Sequence, residues 1–222
     1  MLILALQIIA WTAVMAMVLL WPAGTLAYPG GWAFIVLFGV AGFTISFWLY
    51  EHNPRLLRER MASPIQPEQK PWDRAFLSIF IVAFFGWMAF MARDASRSNF
   101  AGIPLWLQAI GGLAVGFGFL GGWLAFRENT FAAPVVKIQV GQKPIDTGVY
   151  AIVRHPMYAG AIVYLVGMPL LLGSWRGLVL TPLLILGIAW RIVHEEQTLR
   201  AELPGYVEYA ARIRYRLIPH VW

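Results

Sequence analysis

The chain has 222 residues, of which 59% are apolar and 13% charged, with a mean hydropathy of +0.65. An ordinary soluble domain carries roughly twice that charged fraction, so a soluble globular domain is excluded and an integral membrane protein is expected. Cysteine is absent, which rules out disulfides, thiolate nucleophiles and thiolate metal sites, and the net charge of +6 is read from its distribution along the chain rather than as a nucleic-acid footprint.

Apolar runs predict six spans, at about 3–21, 31–50, 74–92, 104–126, 158–173 and 177–194, the last two forming a short hairpin. The fold class expected is an all-α polytopic helical bundle. Residues 2–21 lack the basic start and small-residue cleavage pattern of a secretory signal and read as a retained first span. Trp21, Tyr28, Trp32, Trp72 and Trp106 fall near predicted span ends, where amphipathic rings settle at headgroup level, and Trp222 reads as a further anchor. Lys and Arg alternate by loop: five in 51–74, four in 127–157 and five in 191–222, against none in 22–30, two in 93–103 and one in 174–176. The positive-inside rule then predicts cytoplasmic termini and cytoplasmic long loops.

Two units are expected: an N-terminal scaffold of three spans over 1–103 and a catalytic core over 104–222. On the fourth span Gly116-Phe-Gly-Phe-Leu-Gly121 satisfies G-x-G-x-x-G, but the dinucleotide fingerprint needs a preceding strand and a turn opening into a helix. Inside a continuous apolar helix these glycines predict close helix packing instead. Residues 127–157 form a polar connector too long for a mere link, which marks it as functional.

The most informative stretch is Thr147 to Gly160, which packs Tyr150, Arg154, His155 and Tyr158 into a loop leading straight into an apolar run. Proline disfavours helix at the preceding residue and is tolerated in a first helical turn, so His155 should be extended and Pro156 should open a helix. The unpaired N–H groups of that turn, with Arg154 and His155 beside them, suit a carboxylate or phosphate. Further on, Glu195 and Glu196 end the last apolar run on the same predicted side, with Arg191 and Arg200 available as i, i+4 partners. After the break at Leu203-Pro-Gly205, a helix places Tyr206, Tyr209 and Arg212 on one face, and Glu208 can pair with Arg212.

Arg154-His-Pro-Met-Tyr158, the upstream Gly148-Val-Tyr150, Glu195-Glu196 and Pro204-Gly-Tyr-Val-Glu-Tyr209, in this order and spacing, resemble the isoprenylcysteine carboxyl methyltransferase family, which is related to membrane phospholipid methyltransferases. The likeness covers about residues 125–222, and the N-terminal half resembles bacterial members. The resemblance implies an integral membrane methyltransferase, in a bacterial inner membrane, that uses S-adenosylmethionine at its cytoplasmic face. It implies cofactor contacts from Tyr150, His155, Pro156, Tyr158, Glu195, Glu196 and Tyr206. Arg154 would hold a carboxylate acceptor bidentately with no base required, and for an amine or thiol acceptor His155, Glu195 or Glu196 would assist deprotonation. The expected acceptor is a lipophilic small molecule or a prenylated one, met within the lipid environment.

An NADPH-dependent sterol-type reductase is the rival reading, because such enzymes share the C-terminal pattern from Tyr209 to Pro219; the Glu pair and compact chain favour methyl transfer. A non-catalytic assembly factor fits poorly with polar residues clustered at one interface. A metal-dependent hydroxylase needs repeated histidine pairs, whereas the four histidines here are His52, His155, His194 and His220.

Overall fold

The structure, a computed structural model, describes residues 2–66, 68–99 and 102–222. Among the described residues eight α-helices follow one another: α1 (Leu2–Ala23), α2 (Pro29–His52), α3 (Pro54–Met61), α4 (Pro71–Arg97), α5 (Leu105–Glu128), α6 (Pro156–Leu172), α7 (Trp175–Glu202) and α8 (Tyr206–Arg212), with a 3-10 turn at Gly148–Ala151. Among the described residues there are no strands. Helices α1, α2, α4, α5 and α7 are long and apolar enough to cross a membrane, and α6 is a shorter apolar helix of 17 residues. The expected all-α membrane bundle is thus the observed class, and each of the six predicted spans lies on its own helix.

Prolines set most of the helix starts. Pro29, Pro54, Pro71 and Pro156 each occupy the first turn, where the missing N–H costs nothing and the fixed φ suits the helix. The short helix α3, unexpected within the 51–74 loop, begins this way, and the side chain of Asn53 accepts from the Leu56 N–H as its cap. Its Leu56 and Leu57 are buried against Leu4, Leu49 and Phe126. Helix α7 is not the short arm expected: at 28 residues it continues beyond the apolar run, carrying Glu195, Glu196 and Glu202 past the bundle.

The closest packing is between α5 and α6. Gly111 and Gly118 on α5 face Gly167 and Gly160 on antiparallel α6, each pair seven residues apart, and a Cβ on Gly118 would lie 2.9 Å from the Gly160 carbonyl oxygen. Such approach needs small residues, as expected for this span. The glycines do not act alike, however: Gly116 has nothing within 4 Å of a built Cβ and makes no close contact. One apolar core runs through both halves of the chain, joining Leu19, Trp87 and Met88 to Leu165, Met168 and Ile192.

The loops sort into two ends. At one end Tyr28 donates to the Leu172 carbonyl (2.7 Å) and Trp175 Nε1 to the Gly102 carbonyl (2.7 Å), tying together the 24–28, 102–104 and 173–175 connections. At the other, Lys70 N donates to the Val136 carbonyl and Lys70 Nζ pairs with Glu202, joining the 62–70 loop, the long connector and the end of α7. The basic loops therefore share one end, as the charge count requires. Tyr28 corrects the anchoring expectation, since it is only 1% exposed and belongs to the core. Trp21, Trp32 and Trp106 are exposed, Trp72 packs on Trp190 and His194, and Trp222 packs beneath Arg216.

Candidate active site

His155 is non-helical at φ −126°, ψ 60°, short of the extended conformation expected for it, Pro156 opens α6, and no side chain caps that helix start. The two residues before the proline are held from outside, because Arg154 N and His155 N donate to the carbonyls of Tyr215 and Arg216 (both 2.9 Å). The chain after α8 thereby runs alongside the His-Pro loop. This pairing satisfies backbone donors that would otherwise be orphaned in a buried loop.

Glu196 joins these segments. Its Oε1 accepts from Arg154 Nε at 2.6 Å and lies 3.2 Å from His155 Nε2, while its Oε2 accepts from Arg216 Nε at 3.1 Å. Its side chain is 2% exposed. A carboxylate so deep is stable only with paired charges and filled lone pairs, which these three groups supply. Arg154 spends the rest of its hydrogen bonding on the chain terminus: Nη1 donates to the carbonyls of Ile213 (2.7 Å) and Arg214 (2.8 Å). The planar fork expected to grip an acceptor is therefore largely committed within the protein, and Arg154 locks the C-terminal segment onto the loop.

Glu195 points elsewhere. It accepts from the Tyr158 hydroxyl at 2.7 Å and stays half-buried. The i, i+4 partners expected on α7 are not used. Arg191 instead donates through Nε to Asp73 Oδ1 and through Nη2 to the Pro134 carbonyl, both at 2.8 Å, and its guanidinium lies 5.7 Å from the Tyr158 ring centre. Asp73 is fully buried, and its Oδ2 accepts from Gln69 Nε2 and from the Val136 N–H. Arg212 likewise pairs with Asp146 and not with Glu208.

These networks surround a narrow polar cleft with about 100 Å³ of enclosed space, open at its mouth. It is lined by Tyr150, Arg154, His155, Tyr158, Glu195 and Tyr206 among the expected residues, and by Asn129, Lys137, Lys143 and Arg191 besides. Glu196 lies behind the wall, and Pro156 is buried at the helix start without lining the cleft. Tyr206 and Tyr209 pack at 5.7 Å between ring centres, and Tyr209 donates to the Tyr150 carbonyl at 3.0 Å.

The Tyr206 hydroxyl is buried with no hydrogen-bond partner among the described residues. A polar atom left so at a cleft wall is a vacancy in the hydrogen-bond inventory that a ligand would fill. Burial raises the hydroxyl pKa of Tyr206 well above its usual value and, offset by a hydrogen bond with Asn129, that of Tyr150 to about 12, so both are neutral donors at physiological pH. Among the described residues no group of three His, Asp or Glu could hold a metal ion.

Asp73, Arg60 and Arg216 were not singled out from sequence. Asp73 stands two residues after the α4 proline and looks like an ordinary first-turn acid complementing the helix dipole. Only its contacts across more than a hundred residues reveal it as a partner of Arg191.

The fold and this cleft define a polytopic helical membrane protein with a polar site at one end. Residues 106–203, from α5 through the end of α7, match the family model of phospholipid methyltransferases. That match supports a membrane methyltransferase. No curated protein matches the chain. The matched stretch contains the His-Pro loop and both glutamates but leaves out Tyr206, which lines the cleft, and Asp73 and Arg216, which hold Arg191 and Glu196, so segments on both sides of it support the cleft.

Proposed function

We propose that the protein is an S-adenosylmethionine-dependent integral membrane methyltransferase acting on a lipophilic acceptor, most simply a carboxylate as in isoprenylcysteine methylation. The orphaned Tyr206 hydroxyl facing a cleft shared by the His-Pro loop and Glu195 carries the reading. The residues fit the cofactor's chemistry. Its amino-acid carboxylate suits the uncapped start of α6 with His155 and Lys143 nearby, and its ribose hydroxyls suit Glu195 as acceptor. The faces of Tyr150, Tyr158 and Tyr206 suit a sulfonium. When bound, the cofactor supplies an electrophilic methyl group.

The chain's own residues then do the positioning. Glu196 and Arg154 fix the loop and the C-terminal segment, so that His155 and Tyr206 meet the ligand in one geometry. A carboxylate acceptor is already nucleophilic and requires no base, and Lys143, which has no carboxylate partner among the described residues, favours an anion in the cleft, whereas Lys137 and Arg191 are paired with Glu59 and Asp73. A phospholipid amine is the second reading, favoured by the description of the matched family; Glu195 would then take the amine proton. At saturating cofactor, Glu195→Gln should spare turnover of a carboxylate and depress turnover of an amine. The cleft end is read as cytoplasmic in a bacterial inner membrane, on the distribution of Lys and Arg.

Calorimetric titration of the purified protein with S-adenosylhomocysteine and, separately, with NADPH tests the reading. Binding of the former alone is expected; binding of NADPH alone would overturn it in favour of a reductase. Tyr206→Phe should weaken S-adenosylhomocysteine binding about three- to tenfold with no loss of thermal stability.

A further inference from the structure

A second cavity lies across a wall from the cleft. It runs between the cleft-side parts of α1, α2 and α4, lined by Ile8, Trp11, Ile45, Leu49, Ile81 and Phe85, and offers about 570 Å³ of space. Helices α1, α2 and α4 are long and apolar enough to cross a membrane, so the side of the groove they form adjoins the span of the bundle that hydrocarbon would cover. Its lining is mostly apolar, with Gln7, Ser46 and Ser63 as uncharged polar members and Arg60 of α3 as its one charged residue.

Arg60 occupies the partition itself. Its guanidinium lies 4.0 Å over the Phe126 ring, which lines the groove, while Nη1 donates to the Ala132 carbonyl at 2.9 Å and lies 3.9 Å from the Met157 sulfur; Ala132 and Met157 line the cleft. Among the described residues no carboxylate pairs with Arg60, and its Nε and Nη2 have no hydrogen-bond partner. Burial lowers its pKa to about 10, which still leaves it charged at neutral pH. Arg60 is half-buried and has no anion beside it among the described residues, whereas the fully buried arginines Arg154 and Arg191 each have a carboxylate partner. A carboxylate or phosphate would balance it through those two remaining nitrogens.

We propose that this groove takes the hydrocarbon chain of an anionic lipid drawn from the bilayer, whose carboxylate or phosphate pairs with Arg60 at the junction with the cleft. The proposal rests on the methyltransferase reading for its purpose, which is to deliver an acceptor's head to the cleft. It rests for its occupant on the mostly apolar lining, on the membrane-length helices that form it and on the guanidinium without a carboxylate partner. Residues 8–85 lie outside the stretch that matches the family model, so this part of the site belongs to the N-terminal half.

The test uses the full chain in phosphatidylcholine nanodiscs, photo-crosslinked with diazirine-bearing palmitic acid or, as the cationic counterpart, diazirine-bearing hexadecylamine, with the labelled peptides mapped. Palmitate should label the groove helices near Trp11, Ile45 and Phe85, and Arg60→Gln should reduce that labelling about tenfold. Arg60→Lys should keep most of it. Gly42→Phe, at a groove position where a Cβ meets nothing within 4 Å, should block both probes by filling the space. Equal labelling by acid and amine, or labelling indifferent to Arg60→Gln, would overturn the proposal and leave the groove as a surface wetted by bulk lipid. S-adenosylhomocysteine titration of the same variants separates the two readings: affinity retained in Arg60→Gln shows an intact cleft. Absence of binding in the unaltered protein would instead strike the methyltransferase reading while the labelling pattern stood.

Discussion

The two ends of the bundle hold their charges in opposite ways. At the cleft end, Asp73, Glu196, Arg154 and Arg191 are all at least 91% buried on their side chains, and each bonds to two or more groups. At the far end the ion pair is Arg176 with Asp94 at 2.8 Å, and the Arg176 side chain is 71% exposed. Asp94 also accepts from Ser174, which caps α7 by accepting from the Gly177 N–H. The far end closes helices with local polar contacts. The cleft end binds remote segments to one another, and desolvated charge makes that binding specific, at a cost in stability whenever a partner is lost.

Breaking the cleft end should have the largest effect. Asp73→Ala leaves Arg191 buried without its counter-charge and frees the Val136 N–H, and should cost about 3–5 kcal/mol. Thermal unfolding of the full chain in detergent reads this; an unchanged midpoint would mean that the pair contributes nothing. The apolar seam between α5 and α6 sharpens the comparison, because it unites helices without any charge. Gly118→Ala should cost about 1–3 kcal/mol by overpacking against Tyr164 and the Gly160 backbone. Gly116→Ala, with open space around it, should be neutral or slightly stabilising in the same assay, and equal losses for both would refute the seam. The smallest effect belongs to the far end: Arg176→Ala should change stability by about 1 kcal/mol or less, since a solvated pair gains little. A loss comparable to that of Asp73→Ala would erase the contrast between the ends.

Much of this was legible. The helix start at Pro156 follows from the covalent geometry of proline, and the spans follow from apolar length, so neither depends on what lies across the fold. The assembly of basic loops at one end followed from their alternation along the chain. Other features misled for physical reasons. Tyr28 sits at a span end, where amphipathic rings commonly face the interface, yet its hydroxyl finds the Leu172 carbonyl and the ring is drawn into the core. Arg191 stands in register with Glu195 on a helix, but helical spacing only permits a pair, and the fully buried Asp73 offers a drier, better-satisfied partner.

The sequence by itself determined the class of protein, the helices and the stretch where chemistry is concentrated, because hydropathy, proline geometry and helical periodicity act over a few residues or a single span. Tertiary structure alone decided who pairs with whom. Arg154 was expected to meet an acceptor and is instead engaged by Glu196 and the carbonyls of Ile213 and Arg214, 42 to 60 residues away. Arg60 came to stand beside the cleft wall because α3 folds back beneath Phe126 and Ala132. A buried charge takes whichever partners the packed helices bring within reach, and that choice depends on distances in space that no local pattern along the chain encodes.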